Sequence, residues 1–243
     1  NSLESYDLAN NMVDSGSSYS FTRTPRENLT TSFYIDRQWN STDKVSLMAD
    51  LFRYNYHNYY DFFSNISRSD GIETNDNFIS NGNSLLNGFS AALDFEKQLL
   101  WGVMLSGGGK FTLSTTKNTS VYDVTTLPLQ NDAFKYTENI YAGYLSLDKK
   151  VGNFEFILGG RYEQTKIKSV SNAEIWKTKS YGKFFPDVRL SCNFENGSNI
   201  ALSLNSSIDR PGIRNINPFS YYVSRYGIAV GNPELRPSTW WNI

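Results

Sequence analysis

Apolar and polar residues alternate with a period of two along most of the chain. In residues 84–96 one face collects the bulky apolar side chains and the other collects small or polar ones, namely Leu85, Phe89, Ala91, Leu93 and Phe95 against Gly88, Ser90, Ala92 and Asp94. The same alternation recurs in residues 99–114, 153–167, 184–194 and 200–205, and more weakly in 134–147. This period is typical of β-strands whose two faces meet different surroundings, so the pattern predicts an all-β protein.

The connections between these segments alternate in length. Short joints fall at 40–43, 97–98, 149–152 and 195–198, and long loops are expected at 57–83, 115–133, 168–181 and 210–237. Alternating tight turns and long loops are typical of an antiparallel up-and-down transmembrane β-barrel. All of these segments except 200–205 also reach the roughly 9–11 residues that a strand needs to cross a bilayer. We therefore expect residues 1–243 to form one partial outer-membrane barrel domain of about 9–10 strands, the last beginning at Ser238, with a loop or frayed end at residues 1–16.

Composition narrows the class of partner. Basic and acidic residues nearly balance, 23 against 24, so charge alone gives no reason to expect nucleic acid as a partner. Aromatic residues make up 15% of the chain, and Trp39 and Trp101 stand beside short joints, where an interfacial aromatic belt belongs. The single cysteine, Cys192, excludes an intrachain disulfide and a multi-cysteine metal site.

Two other classes of protein remain open at this stage. A soluble carbohydrate-binding β-sandwich would show the same alternation and use the same aromatic residues. An outer-membrane hydrolase of the Ser-His type would have to use His57, the only histidine. His57 sits where a predicted strand enters a loop, and a solvated histidine is the simpler interpretation, so we expect neither an enzyme nor a cofactor.

The stretch 208–237 carries specific motifs. Arg210-Pro211 is followed by Asn217-Pro218-Phe219 and then by Gly231-Asn232-Pro233. Together with Gly159-Gly160-Arg161-Tyr162-Glu163, these motifs resemble outer-membrane β-barrel proteins related to the TonB-dependent receptors of the Bacteroidetes type. The resemblance extends from about residue 28 to the end, without the plug domain and the last strands of that family.

The resemblance has functional implications. It implies a bacterial outer-membrane location, contact with lipid, and energised uptake of a nutrient such as a glycan or a chelated metal. It also implies coupling to the TonB complex through segments outside this sequence, and no nucleic-acid partner. The family-motif loop comprises Arg210, Pro211, Asn217, Pro218, Phe219, Gly231, Asn232 and Pro233.

Two further sets of side chains are candidates for contact with a ligand or with the barrel lumen. Charged residues on the polar faces of the later strands are expected to face the lumen: Glu138, Arg161, Glu163, Arg189 and Asp209. Aromatic residues of the long loops are candidates for facing a ligand: Tyr59, Tyr60, Tyr221, Tyr222 and Tyr226. Pairing with neighbouring strands is the simpler interpretation of each charged residue taken singly, and loop packing is an equally good interpretation of the aromatic set.

Overall fold

A computed structural model describes residues 2–6, 12–124, 130–172, 174–224 and 227–243. Most of these residues lie in β-strands: β1 Ser2–Tyr6, β2 Met12–Arg23, β3 Arg26–Gln38, β4 Lys44–Arg68, β5 Glu73–Gln98, β6 Met104–Val124, β7 Gln130–Val151, β8 Phe154–Ser171, β9 Glu174–Asn193, β10 Asn199–Asp209, β11 Ser220–Ser224, β12 Gly227–Val230 and β13 Ser238–Asn242. A 3-10 turn, Leu100–Gly102, and a single-turn helix, α1 Ile213–Ile216, complete the described elements. Neither of these described helices is long and apolar enough to cross a membrane.

The strands form one antiparallel sheet and a small hairpin. Within the described residues the sheet has 11 strands in the order β1-β2-β4-β5-β6-β7-β8-β9-β10-β13, with β3 also paired to β4. β3 and β2 occupy successive parts of the same edge of β4, and Pro25, which has no N–H to donate, lies at the break between them. β11 and β12 pair separately. This up-and-down order confirms the predicted antiparallel fold.

The distribution of apolar side chains is the reverse of that in a soluble domain. Leu93, Leu158 and Leu202 are 53%, 60% and 64% exposed, whereas Glu163 and Ser191, on the opposite face, are each only 7% exposed. A sheet with an apolar outer face and a polar inner face is typical of a barrel wall between lipid and water. The sandwich alternative is wrong, because the large sheet does not bury its leucines against a second sheet.

The predicted short joints at 40–43, 149–152 and 195–198 coincide with tight turns, but residues 97–98 belong to β5, and the connection to β6 lies at residues 99–103. In the first, Asn40 Oδ1 accepts hydrogen bonds from the backbone N–H groups of Thr42 and Asp43. Gly152 and Gly197 take φ values of 60° and 83° in two later turns, a conformation that favours glycine. Trp39 and Trp101 are 60% and 86% exposed at this end of the sheet.

Three of the predicted long loops are instead continuations of the strands. β4 and β5 stay paired from His57↔Asn83 to Ser67↔Glu73 inside the range 57–83, and residues 69–72 make a tight turn. Over their described residues, 115–133 and 168–181 likewise extend β6–β7 and β8–β9. Polar residues stand on both faces here, so no alternation marks the strands, although backbone hydrogen bonds still hold the pairing.

The prediction of a loop at residues 1–16 is also wrong over the described part. β1 pairs with β2 from Ser2↔Ser17 to Tyr6↔Met12, and β2 pairs with β4. These segments lack an apolar face, and they are held by ladder pairing that leaves no signal in the hydrophobic pattern. The fourth predicted loop, 210–237, does connect β10 to β13.

Candidate functional site: the polar face and the strap across it

The candidate site lies on the polar face of β7, β8 and β9. Strand pairing places Ala142 opposite Glu163 and Glu163 opposite Lys183. Side chains alternate between the two faces along a strand. Glu138 and Ala142 are both even-numbered residues of β7, so Glu138 lies on the same face as Ala142 and its partner Glu163. β8 contributes Arg161 and Thr165 to this face by the same rule.

Glu163 is the centre of an ion-pair network. Its two carboxylate oxygens lie 2.5 Å from Arg161 Nη2 and 2.6 Å from Arg210 Nη2. The same Arg210 nitrogen donates to Thr165 Oγ1 at 3.2 Å, and Arg210 Nε lies 3.6 Å from Glu138 Oε1. Glu163 is 7% exposed and Thr165 is 0% exposed. Two guanidinium groups on one buried carboxylate offset the cost of removing that carboxylate from water.

The segment that supplies Arg210 crosses the polar face; we call residues 210–237 the strap, of which 225 and 226 lie outside the described residues. Its two motif regions pack against each other. Asn232 N donates to Asn215 O at 2.7 Å, and a Cβ added to Gly231 would lie 2.8 Å from Asn217 N. Only glycine permits this approach of two backbones. The motif glycine therefore has a steric role.

Asparagine side chains shape the two motif turns. Asn217 Oδ1 accepts from Phe219 N at 3.2 Å across Pro218, and Asn232 Oδ1 accepts from Glu234 N at 2.9 Å across Pro233. Such bonds from Asn to the backbone two residues ahead stabilise turns. The repeated Asn-Pro pair thus builds two similar corners of the strap.

The strap is fastened to the wall at several points. Lys179 Nζ donates to the carbonyl oxygens of Pro233 at 2.6 Å and Leu235 at 3.4 Å. Lys177 forms an ion pair with Glu234. The Phe219 ring meets the edge of Phe134, which is 2% exposed, at a centroid distance of 6.2 Å. Polar and apolar contacts together hold the strap against β7 and β9.

A cavity of about 710 Å³ remains between the strap and the wall. Tyr136, Ile167, Tyr181 and Lys183 line its wall side, and Pro211, Ile216, Leu235 and Arg236 are among the residues that line its strap side. Its volume lies within the range of about 300–1,000 Å³ that is typical of small-molecule sites. The fold therefore places a partly enclosed, mixed polar and apolar space on the polar face.

The predicted lumen-facing residues separate into two groups. Glu138, Arg161 and Glu163 belong to the network. Arg189 is exposed and pairs in register with Ile157 and Ser203, and Asp209 is exposed at the end of β10, opposite Ser238. No ion pair of Arg189 or Asp209 is among the contacts of the described residues. A direct role for each of these five residues in the lumen stays a prediction.

The prediction about loop aromatics needs correction for Tyr59 and Tyr60. Both lie within β4, not in a loop, and neighbouring residues of a strand point to opposite faces. Tyr59 meets Phe21 at 6.3 Å, whereas Tyr60 meets Phe78 at 5.8 Å. Tyr221 and Tyr222 lie in β11, but their side chains, like all of Tyr226, fall outside the described part of the chain.

The hydrophobic pattern alone missed part of the site. Lys177, Lys179 and Lys183 share the polar face of β9 with Phe185, and Arg210 reaches back to Glu163 from the strap. The sequence does contain a sign of this arrangement, since the lysines stand at odd-numbered positions, as Asp187 and Arg189 do on the polar face. This alternation was overlooked because residues 168–181 have the polar composition of a loop.

The described residues contain no group of three or more His, Cys, Asp or Glu side chains that could hold a metal ion. His57 is exposed, and the side-chain partner described for its ring is Asn55, at 3.3 Å.

The architecture defines a class of protein: a wall of antiparallel strands with an apolar outside and a polar inside, which is a transmembrane β-barrel wall. The chain belongs to the outer membrane protein beta-barrel family, whose model matches residues 37–243. The predicted family, fold and location in the bacterial outer membrane are confirmed. The Bacteroidetes origin stays a prediction.

Several solved structures are similar to this chain. The unliganded ferric citrate transporter FecA is 12% identical with a TM-score of 0.48, and the alignment covers 85% of this chain and 40% of FecA. The copper transporter OprC is 11% identical with a TM-score of 0.49, and the alignment covers 97% of this chain and 43% of OprC. A third similar structure is the Serratia marcescens hemophore receptor HasR in complex with its hemophore HasA and heme. It is 13% identical with a TM-score of 0.49, and the alignment covers 95% of this chain and 42% of HasR. The chain thus spans less than half the length of each. No curated protein matches the chain in sequence.

Proposed function

We propose that this chain forms part of the wall and rim of an outer-membrane receptor that takes up a nutrient with energy from the TonB complex. The observation that carries the proposal is the cavity of about 710 Å³ held between the strap and the charged polar face. A barrel wall that only anchored a protein in lipid would not need a partly enclosed site beside its lumen. The strap provides one wall of a binding site, and β7–β9 provide the other.

The ion-pair network supports a receptor role by keeping the strap in place. Arg210 stands at the start of the strap, donates hydrogen bonds to Glu163 and Thr165 on the wall, and lies 3.6 Å from Glu138. A site built on a rigid scaffold binds its ligand with less loss of conformational entropy. The network therefore preorganises the entrance to the lumen.

The uptake role is tested in cells that lack the gene for this protein. Wild-type and deletion strains are grown on a panel of glycans as sole carbon source and of chelated iron as sole iron source. We expect the deletion to abolish growth on one nutrient class and plasmid-borne wild type to restore it. A second strain, lacking TonB but retaining this protein, should fail on the same nutrient. Equal growth of the deletion and wild-type strains on the whole panel, or nutrient use that persists without TonB, would overturn the proposal.

A further inference from the structure

The charge of the cavity lining is strongly unbalanced. Among the described residues, five cationic side chains line it, Lys177, Lys179, Lys183, Arg210 and Arg236, and two carboxylates, those of Glu138 and Glu234. A cavity partly enclosed by protein screens charge less than open water does. The lining therefore creates a positive potential inside the cavity.

Two of the cations are compensated by carboxylates. Arg210 is bound to Glu163 and lies near Glu138, and Lys177 is paired with Glu234. These contacts hold the strap and leave little positive charge for a ligand.

The other three cations have only neutral partners or none among the described contacts. Lys179 donates to two backbone carbonyls, and Lys183 Nζ donates to Thr239 Oγ1 at 2.5 Å. Arg236 has no ion pair or side-chain hydrogen bond within the described part of the chain. Three positive charges thus face one cavity without a carboxylate of their own.

Lys179 shows the effect of placing several positive charges close together. It lies on β9 beyond the apolar-faced stretch 184–194 that we assign to the membrane. Desolvation lowers the pKa of its ammonium group, and the neighbouring positive charges of Lys177 and Arg236 lower it further. An anion placed among these groups would relieve that repulsion.

Apart from Ser169, Thr178 and Ser180, the uncharged part of the lining is apolar or aromatic. Tyr136, Ile167 and Tyr181 stand on the wall, and Pro211, Ile216 and Leu235 stand on the strap. Aromatic and proline rings offer flat surfaces against which an apolar body can pack. A small hydrated inorganic anion would use the charges but would leave these surfaces without a partner.

We propose that the cavity between the strap and β7–β9 binds a small organic anion, a carboxylate carried on an apolar ring, with Lys179, Lys183 and Arg236 as its charge partners. The inference rests on the proposed receptor role, since it names the chemical class of that receptor's ligand. Tyr136 and Tyr181 pack against the ring, and the three cations face the carboxylate.

The test uses the full-length protein in a neutral detergent, with isophthalate as the probe and its diamide, isophthalamide, as an uncharged control of nearly the same shape. Binding is measured by saturation-transfer NMR and by calorimetry. We expect isophthalate to bind at least about 10-fold more tightly than isophthalamide, a difference of about 1.4 kcal/mol. The affinity for isophthalate should fall with added salt.

Two variants test whether isophthalate binds in the cavity. Arg236→Gln removes a cation that does not fasten the strap, so we expect a loss of about 5-fold or more in isophthalate affinity with folding unchanged. Lys168→Gln is the matched control, because Lys168 pairs with Thr178 in the same hairpin but is exposed on the opposite face. It should leave the affinity unchanged.

The inference is overturned if neither compound binds, if both bind equally, or if Lys168→Gln weakens binding as much as Arg236→Gln. These measurements need no energised membrane. Anion binding without TonB-dependent growth would sustain this inference and remove the uptake proposal. TonB-dependent growth without anion binding would do the reverse.

Discussion

Single residues decide whether the strap stays on the wall. Glu163 is buried and is shared by two arginines from different segments, one on its own strand and one on the strap. Removing one partner of a buried charge leaves the other partner desolvated without compensation, which is why such pairs are sensitive to substitution. An exposed ion pair loses far less.

The substitution Arg210→Gln tests this contrast. It removes the charged bonds to Glu163 and Thr165, and a hydrogen bond to a charged group contributes about 1.5–3 kcal/mol. We expect the free energy of unfolding to fall by about 2 kcal/mol in guanidinium titrations of the protein in lipid vesicles. Lys150→Gln is the control, since the Lys150–Glu155 pair at 3.3 Å has a lysine side chain that is 72% exposed. Equal effects of the two substitutions would show that the network does not stabilise the fold.

The substitution Gly231→Ala tests the contact between the two motif regions. The added Cβ would overlap Asn217 O and lie 2.8 Å from both Asn217 N and Arg214 O, all backbone atoms that cannot turn aside. Overpacking of this kind costs about 1–3 kcal/mol, so we expect the strap to detach and become open to limited proteolysis.

Gly212→Ala is a control within the same strap, because a Cβ there meets nothing within 4 Å and the residue has a φ of −62°. It should leave the digestion pattern of the wild type unchanged. If Gly231→Ala is also digested like the wild type, the close approach of the two motif regions is not what holds the strap.

At the scale of elements, the alternation of apolar and polar residues predicts the membrane-crossing parts of the strands. It does not predict the parts of the strands that continue beyond the membrane. The alternation near Leu158 and Leu202 is visible because lipid and water select opposite side chains there. The continuations of β4–β5 and β8–β9 have polar residues on both faces, so nothing in the hydrophobic pattern separates them from loops. Their strand structure comes from backbone pairing, which a pattern of side chains does not record.

Neighbouring positions of β10 give a test of the two faces. Leu202 lies on the apolar face, and Ala201 pairs with Ser191 on the polar one. A lysine facing the bilayer midplane costs about 2–4 kcal/mol. We expect Leu202→Lys to lower the free energy of unfolding in lipid vesicles by about that amount and Ala201→Lys to change it by less than about 1 kcal/mol. A larger effect for Ala201→Lys would reverse the assignment of the faces.

The candidate site was only partly predictable for a related reason. Glu138, Arg161 and Glu163 stand out because charges at alternate positions of a strand must share a face. The partner Arg210 comes from the strap, and its approach depends on turns at Asn217 and Asn232 that tertiary contacts fix. The family motif marked these residues, but their roles follow only from the structure.

At the scale of the whole molecule, the sheet of described residues is open, with β1 and β13 at its two ends. Unpaired strand edges are costly in a bilayer, so a membrane barrel has to close. Membership of a larger barrel, with a plug and further strands, therefore stays a prediction.

The central claim is that the two faces of this sheet meet lipid and water. It is tested most directly by electron paramagnetic resonance of nitroxide labels in lipid vesicles, with Cys192→Ala as background. Labels are placed on cysteines at Leu158 and Leu202, on the apolar face, and at Ile157 and Ser203, on the polar face. Oxygen concentrates in lipid, whereas a nickel chelate stays in water. We predict that oxygen relaxes the labels at positions 158 and 202 more strongly than the chelate does, and that the chelate relaxes the labels at positions 157 and 203 more strongly than oxygen does. Equal accessibility of the two faces to both reagents would contradict the account.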